Sequence, residues 1–315
     1  MGMMSPTKYL PLGLLPAIFC SGLQAQEAPG RRFLAADDST HRLAIVKPDG
    51  SFEREEKVGA IHDAQLLENG NLLFQQDGWN HIVEKSPDGK IVWEYDSGKA
   101  NPGKAVEVHA FQRLENGNTM IAESGVGRII EVTKDGKVAK EVKLQIANPN
   151  AHSDTRLVRK LASGNYLVAH EAEGKAKEYA PDGKVVWEFE VPMFGKPEAG
   201  GHGPEAFGNH LFSAIRLANG NTLIGTGNGH SVLEVTPEKK IVWELHQKDL
   251  PGITLAWVCR VERLPNGNTV INNCHAGPEN PQLIEVSPDK KVVWQWKDFK
   301  NFGDSTPVAF LLPAK

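Results

Sequence analysis

The sequence predicts an all-β fold in which one unit of four short strands is repeated six times, and three observations support this prediction. A turn of the form Asn-Gly-Asn, or Ser-Gly-Asn once, recurs at positions beginning with Asn69, Asn116, Ser163, Asn219 and Asn266. A second turn, most often Pro-Asp-Gly, follows each of these turns and also precedes the first. Short runs rich in Val, Ile and Trp lie between the turns, which is typical of β-strands.

The spacing of the repeats predicts the architecture. Successive Asn-Gly or Ser-Gly turns are 47, 47, 56 and 47 residues apart, and a period of roughly 40–50 residues with four strands is typical of a β-propeller blade. Residues 31–58 hold only the last three strands of a blade, whereas residues 306–312 resemble the innermost strand of the other repeats. We therefore predict a six-bladed β-propeller with four antiparallel strands per blade, in which the C-terminal strand pairs with the N-terminal blade and closes the ring.

The two kinds of turn have different chemistry. Asn-Gly favours a tight hairpin because both central residues accept positive φ. In the second turn, Pro presets φ at the first corner and Gly takes the left-handed position. Both features predict sharp reversals between neighbouring strands.

One long segment interrupts the repeat. Residues 191–210 contain three Pro and five Gly and no strand-like run. We interpret this segment as a loop rather than part of a seventh blade. Because long structured loops often serve as lids or binding loops, it is a candidate cover for the channel.

The N-terminus has the pattern of a secretory signal peptide. Lys8 precedes an apolar run that ends at Cys20, and small residues lead to Ala25, which is the arrangement that such peptides show. The run is too short and too rich in Pro and Gly for a membrane span. We predict a signal peptide over residues 1–25, a single propeller domain over residues 26–315, and a periplasmic or secreted protein.

The charge balance argues against one class of partner. The chain has 35 Lys and Arg against 39 Asp and Glu, a formal net charge of −4, so no basic excess is present to neutralise a phosphate backbone. No other stretch is apolar enough to cross a bilayer. We expect a small-molecule ligand, with a protein partner as the alternative, and neither nucleic-acid binding nor membrane insertion.

The histidines are predicted to lie at one end of the ring. When the strands of each blade are named a to d from the axis outward, the a–b and c–d turns share one face, here called the bottom face. The b–c loops and d–a crossovers share the opposite face, here called the top face. All 11 histidines lie in or beside these top-face segments. A single histidine is usually structural, but this concentration predicts a binding site at the channel mouth.

Particular residues are candidates for that site. His62 and His109 each precede the first residue of a turn by seven positions, and Arg156 has the same position in the fourth repeat. His109 and His152 are the candidate catalytic residues. The candidate ligand-binding residues, all predicted on the top face, are His62, Asp154, Arg156, His202, Glu205, His210, Trp257 and His275.

The tryptophans divide into two groups. Those that recur at one repeat position are predicted to pack between blades, and they are Trp93, Trp187, Trp243 and Trp294. Trp79 and Trp257, by contrast, could provide flat apolar walls for an aromatic or sugar ring.

Two cysteines remain after the predicted signal peptide. Pairing around the turn at Asn266 places Cys259 opposite Cys274, which makes a disulfide plausible in an oxidising compartment. A metal pair formed by a cysteine and His275 is the alternative. A catalytic thiol is less favoured, because no nucleophile motif surrounds either residue.

The repeated phrase adds a resemblance. Residues 217–224 read Leu-Ala-Asn-Gly-Asn-Thr-Leu-Ile, and a run of the form Glu-Val-x-Pro followed by Val-Trp-Glu comes next. This pattern resembles the repeats of bacterial arylsulfotransferase-like and quinoprotein-like propellers over residues 31–313. The resemblance implies a channel histidine, here His109 or His152, as a transient sulfuryl acceptor, with Arg156 stabilising sulfate oxygens. Pyrroloquinoline quinone is less favoured, because quinoprotein dehydrogenases usually have eight blades.

Three functions remain open from the sequence. The first is a histidine-rich site for an anionic, aromatic or sugar-like molecule, with a divalent metal as an optional cofactor. The second is a transferase or lyase that uses a channel histidine, since imidazole titrates near neutrality. The third is a non-catalytic scaffold for protein interactions. We favour the first.

Overall fold

A computed structural model describes residues 1–2 and 30–313, so the predicted signal peptide lies, apart from residues 1–2, outside the described residues. The described chain forms six antiparallel four-stranded sheets arranged as a six-bladed β-propeller, which confirms the predicted fold class. Within these two ranges, no helix is long and apolar enough to span a bilayer.

The strands follow the repeat in chain order. Blade 1 begins with β1 (Phe33–Asp37), β2 (Arg42–Val46) and β3 (Phe52–Lys57). Blade 2 contains β4 (Ala64–Leu66), β5 (Leu72–Gln75), β6 (His81–Lys85) and β7 (Ile91–Asp96), after which comes a short helix, α1 (Ser97–Ala100). Blade 3 contains β8 (Glu107–Arg113), β9 (Thr119–Ser124), β10 (Arg128–Val132) and β11 (Val138–Lys143). Blade 4 contains β12 (Val158–Lys160), β13 (Tyr166–His170), β14 (Lys175–Tyr179) and β15 (Val185–Glu190).

The remaining strands complete the ring. Blade 5 contains β16 (Ser213–Arg216), β17 (Thr222–Gly225), β18 (Ser231–Val235) and β19 (Ile241–His246), followed by a 3₁₀ turn over Gln247–Asp249. Blade 6 contains β20 (Trp257–Arg263), β21 (Thr269–Cys274), β22 (Leu283–Val286) and β23 (Val292–Trp296). The last strand, β24 (Val308–Leu311), pairs with β1, and Phe33 lies opposite Leu311. This pairing is the predicted closure of the ring.

The Asn-Gly turns have a different geometry from the predicted one. Only the glycine has positive φ, for example 82° at Gly70, and no Asn of these turns is among the residues with positive φ. The Gly70 N–H donates to the Leu67 carbonyl at 2.9 Å, and the Leu67 N–H donates to the Asn71 carbonyl at 2.8 Å. These bonds define a three-residue loop, a type I turn closed by a left-handed glycine, whose bulge matches the strand twist. The prediction that both central residues take positive φ was wrong.

The c–d turns agree with their prediction. In the first of them Gly50 has a φ of 81° and donates to the Lys47 carbonyl at 2.9 Å, which leaves Pro48 at the first corner. Blades 5 and 6 lack this glycine, and Lys239 and Lys290 take the same conformation with φ of 67° and 66°. A side chain in this region costs free energy that glycine avoids.

The recurring tryptophans do pack between blades. The Arg216 guanidinium of blade 5 lies 5.3 Å from the Trp187 ring of blade 4, and it also donates to Glu178 of blade 4 at 2.7 Å. Equivalent arginines cover Trp93 and Trp243, and Trp294 contacts Phe33 of blade 1 edge to face. In blades 2, 4 and 5, an arginine of the following blade therefore covers the tryptophan of the outer strand, an arrangement that was not predicted from the sequence.

The top face has a structural reason to contain histidine. His41, His230 and His275 all follow b strands and have φ of 54°, 51° and 60°. Histidine is one of the few residues enriched in this left-handed region. Part of the bias towards one face therefore comes from turn geometry rather than from binding.

The pairing of the two cysteines differs from the prediction. The turn shifts the register by one residue, since Arg263 lies opposite Thr269, and a bulge between Val258 and Val261 shifts it by one more. Trp257, and not Cys259, therefore lies opposite Cys274, and both cysteines are buried free thiols. The predicted direct opposition failed because a two-residue hairpin has neither the three-residue loop nor the bulge.

Candidate functional site

The inner strands place six side chains around one point of the channel. His62, His109, Arg156, Phe212 and Cys259 each lie seven residues before the first residue of a turn, and with Pro307 of blade 1 they line one narrow cavity. Each blade supplies one of these residues. In blades 2 to 6 the repeat sets the same number of residues between the channel wall and the turn. The first three of these residues were predicted from the sequence; Phe212 was not, although it has the same position in its repeat.

A wider pocket of about 240 Å³ adjoins this cavity on the top face. Its aromatic walls are Trp79, Trp257 and Phe212. Of the residues predicted from the sequence, it is lined by His62, His152, Arg156, His202, Trp257 and His275. The blades thus bring together side chains that lie more than 200 positions apart in the chain.

Three predicted residues lie elsewhere and have other contacts. The Asp154 carboxylate accepts from the backbone N–H groups of Gly125 and Asn150 at 2.8 and 2.6 Å, which fixes a loop. Glu205 is an exposed residue whose carboxylate accepts from the N–H groups of its own loop. His210 has its closest charged neighbour in Glu198, at 3.8 Å.

Arg156 is the fixed cation of the pocket. Its Nε donates to the Glu171 carboxylate, its Nη1 donates to Nδ1 of His62 at 2.9 Å, and its guanidinium lies 4.8 Å from the centre of the Phe212 ring. Among the described residues, its Nη2 has no hydrogen-bond partner. The guanidinium is therefore oriented by two bonds and keeps donors for a further acceptor.

The contact with Arg156 fixes the proton position on His62. A guanidinium can only donate, so Nδ1 of His62 accepts and a neutral His62 carries its proton on Nε2. Nδ1 of His109 lies 2.8 Å from the same Nδ1 of His62. The two rings therefore contact each other through these nitrogens, beside the Arg156 guanidinium.

Burial keeps these two rings neutral. Burial and the nearby Arg156 charge lower the pKa of His109 to about 3 and hold the pKa of His62 well below its usual value. The His109 side chain has 0 % exposure. His109 was predicted as a candidate nucleophile, but both its ring nitrogens face protein atoms, whereas His152 is 56 % exposed.

A carboxylate beside these rings was not predicted. Oε2 of Glu107 lies 3.1 Å from Nε2 of His109 and 2.8 Å from Nδ1 of His152. Burial alone would raise the pKa of Glu107, but the hydrogen bonds with the two histidines lower it to about 2. Glu107 precedes His109 by two residues, so it could have been found as a side chain on the same face of the strand.

Asp38 is a second carboxyl group of the site that was not predicted from the sequence. It lines the pocket, accepts from the Ile61 N–H at 2.6 Å, and lies 3.9 Å from Nε2 of His62. Burial raises its pKa from 3.8 to about 7. The pocket therefore holds an acid that changes its charge near neutral pH.

A buried ion cluster lies next to the narrow cavity. Asp63 has no exposed surface and accepts from Arg159 at 2.7 and 2.9 Å and from Arg260 at 3.3 Å. These residues come from blades 2, 4 and 6. The cluster joins alternate blades across the channel, and it too was missed in the sequence.

Comparison with known proteins supports the fold. The sequence matches no protein-family model and no curated protein. A solved structure of a Bacteroides caccae protein of unknown function is 24 % identical, with a TM-score of 0.73 and coverage of 89 % of this chain and 98 % of that chain. A streptogramin B lyase structure is 14 % identical, with a TM-score of 0.58 and coverage of 87 % and 84 %.

A third structure is a catalytically inactive virginiamycin B lyase from Staphylococcus aureus with quinupristin. It is 13 % identical, with a TM-score of 0.57 and coverage of 89 % of this chain and 88 % of that chain. At these identities the three likenesses show a shared fold and nothing of chemistry. They do not bear on the arylsulfotransferase-like or quinoprotein-like resemblance.

Proposed function

We propose that the protein binds a small planar molecule with an anionic or hydrogen-bond-accepting head group in the top-face pocket. The observation that carries this proposal is the combination of three aromatic walls with one oriented guanidinium. Trp79, Trp257 and Phe212 surround the space, and Arg156 has an unused Nη2. Aromatic walls with a few fixed polar groups are the usual composition of a small-molecule site.

The size of the pocket limits the ligand. An engineered apolar cavity of about 150 Å³ is known to hold benzene, and pockets for drug-sized ligands begin near 300 Å³. At about 240 Å³, this pocket suits one substituted ring. Aryl sulfates, aryl carboxylates and monosaccharide acids are therefore the first compounds to test.

The test is a ligand screen read by thermal shift and by tryptophan fluorescence. With at least one aryl anion, we expect the melting temperature of the wild-type protein to rise and its tryptophan fluorescence to change. Replacing the partly exposed Trp79 with alanine should reduce the affinity at least 10-fold. Trp187→Ala is the matched control, because Trp187 lies outside the pocket against Arg216, and it should leave the affinity unchanged. Equal affinities in wild type and Trp79→Ala would contradict the proposal.

A second candidate function is a lyase that works by proton transfer. A transferase or lyase was one of the three functions left open by the sequence. Asp38 supports it, because a carboxyl group with a pKa of about 7 inside a pocket suits general acid–base catalysis. Each compound that binds would be incubated with the protein and followed by mass spectrometry. Product formed by wild type and not by Asp38→Asn favours the lyase, whereas binding without product favours a binding protein.

We also propose that the mature protein begins near residue 26 and acts in the periplasm or outside the cell. This rests on the apolar run before Ala25. N-terminal sequencing of the protein from fractionated cells tests it, and an intact residue 1 in the cytoplasmic fraction would contradict it.

A further inference from the structure

One three-residue cluster on the top face has the composition of a metal site. Glu107, His109 and His152 each offer one ligand atom, and these atoms lie within 4.8 Å of one another. The three residues come from the start of the innermost strand of blade 3 and from the loop that leads into blade 4. They meet because two neighbouring blades share this edge of the channel.

The distances suit a tetrahedral ion. Zinc binds histidine nitrogen and carboxylate oxygen at about 2.0–2.1 Å, which places tetrahedral ligand atoms roughly 3.3–3.4 Å apart. Oε2 of Glu107 lies 3.1 Å from Nε2 of His109 and 2.8 Å from Nδ1 of His152. The ligand atoms of the two histidines lie within 4.8 Å of each other, so an ion would draw the largely exposed His152 towards His109 to reach coordination distance.

Nε2 of His109 is directed at the centre of this cluster. It lies 3.1 Å from the Glu107 carboxylate and 3.3 Å from the Ala151 carbonyl. Without an ion, an N–H at this position donates to the carboxylate, as does the N–H at Nδ1 of His152 at 2.8 Å. A divalent ion would take the place of these two protons and bind the same nitrogen and oxygen atoms.

We propose that Glu107, His109 and His152 bind one divalent transition-metal ion of the zinc class. Two imidazoles and one carboxylate favour such an ion over Mg²⁺ or Ca²⁺, which prefer oxygen ligands. The contact of His109 with His62, which is held in turn by Arg156, is the kind of outer-shell bond that orients a metal-binding histidine. Three protein ligands leave a fourth position for water or another ligand.

The ion would lie at the wall of the top-face pocket, because His152 lines that pocket. The metal site does not depend on the proposed planar ligand, since its ligands are protein side chains alone. If both proposals hold, metal and small molecule should influence each other's affinity. If only the metal proposal holds, the ion should bind with no effect of any screened compound.

The experiment uses untagged, chelator-treated mature protein titrated with Zn²⁺ by calorimetry and with Co²⁺ by visible absorption. We expect one ion per chain and a cobalt spectrum of tetrahedral intensity. Glu107→Gln and His152→Ala change partly or largely exposed residues, so they should keep the fold and weaken zinc binding at least 100-fold. Far-ultraviolet circular dichroism of the metal-free variants checks that they are folded.

His81→Ala is the matched control. His81 also contacts two carboxylates, Glu94 at 2.8 Å and Asp77 at 3.3 Å, but through its two different ring nitrogens, so it forms no shared point for an ion. This variant should bind zinc as wild type does. Wild-type zinc affinity in folded Glu107→Gln and His152→Ala would overturn the proposal. A thiolate-to-cobalt charge-transfer band would do so as well, because it would place the ion on Cys259 and Cys274.

Discussion

The buried ion cluster around Asp63 offers the sharpest test of how the ring is held together. Asp63 accepts from Arg159 and Arg260 and from the backbone N–H of Phe111 at 3.2 Å, and it has no exposed surface. Burial, together with repulsion from Arg159, lowers the pKa of Arg260 to about 10, so Arg260 is still charged at neutral pH. One carboxylate therefore separates two arginine charges inside the channel.

Replacing Asp63 with asparagine removes that charge and keeps the shape. Removing one partner of a buried ion pair costs about 3–5 kcal/mol, because the remaining charge is left uncompensated. The amide nitrogen of asparagine would also face guanidinium donors. We expect a loss of at least about 3 kcal/mol in the free energy of unfolding, or roughly 5 °C in melting temperature for a chain of this size.

The assay is urea unfolding followed by both circular dichroism and tryptophan fluorescence, whose agreement checks two-state behaviour. Asp77→Asn is the control, because Asp77 is 70 % exposed and, among the described residues, its carboxylate pairs with His81 at 3.3 Å. Its effect should stay below about 0.5 kcal/mol. If the free energy of unfolding of Asp63→Asn lies within about 1 kcal/mol of the wild-type value, this carboxylate does not stabilise the channel.

Three further predictions follow from single contacts. Lys239→Gly should raise the free energy of unfolding by about 0.5–1 kcal/mol in a denaturant titration, because Lys239 has a φ of 67°; a loss would show that the left-handed strain is negligible there. Arg216→Ala should lower the free energy of unfolding by about 1–2 kcal/mol, because Glu178 loses its hydrogen-bond donor at 2.7 Å and the Trp187 ring loses the guanidinium that packs on it. An unchanged free energy of unfolding would contradict a role of this arginine between blades. Burial raises the pKa of Asp38 in the folded state from 3.8 to about 7. Between these two pH values the folded state binds a proton that the unfolded state has lost, so the free energy of unfolding falls as the pH rises. Relative to Asp38→Asn, wild type should lose at most about 4 kcal/mol between pH 4 and 8, and parallel stability curves of the two proteins would contradict the raised pKa.

Much of the fold could be predicted because local turn chemistry fixes it. Proline, glycine and asparagine at repeated distances specify where the strands reverse, and the period between them gives the number of blades. The incomplete first repeat and the strand at 306–312 were enough to predict closure, which the pairing of Phe33 with Leu311 confirms. The details of a turn depend on finer backbone preferences, so the Asn-Gly turns were assigned the wrong type. That turn type, together with a bulge in β20, displaced the expected opposition of Cys259 and Cys274.

The candidate site could be predicted only in outline. The position seven residues before the turn is a property of the repeat, so His62, His109 and Arg156 could be placed on the channel wall from their numbers alone. Asp38, Glu107, Glu171 and Asp63 have no repeated signal, and their importance depends on which side chains of other blades face them. Conversely, Asp154, Glu205 and His210 have suitable chemistry for a site but bind their own loops instead.

By itself, the sequence determined the strand period, the number of blades and the face on which histidines collect, because these depend on residues close together in the chain. Only the tertiary structure decided which of those histidines share a pocket, which ring nitrogen faces the Arg156 guanidinium, and which carboxyl groups lie beside them. The physical reason is that burial and electrostatic contact act between neighbours in space. In a closed ring, those neighbours come from every blade.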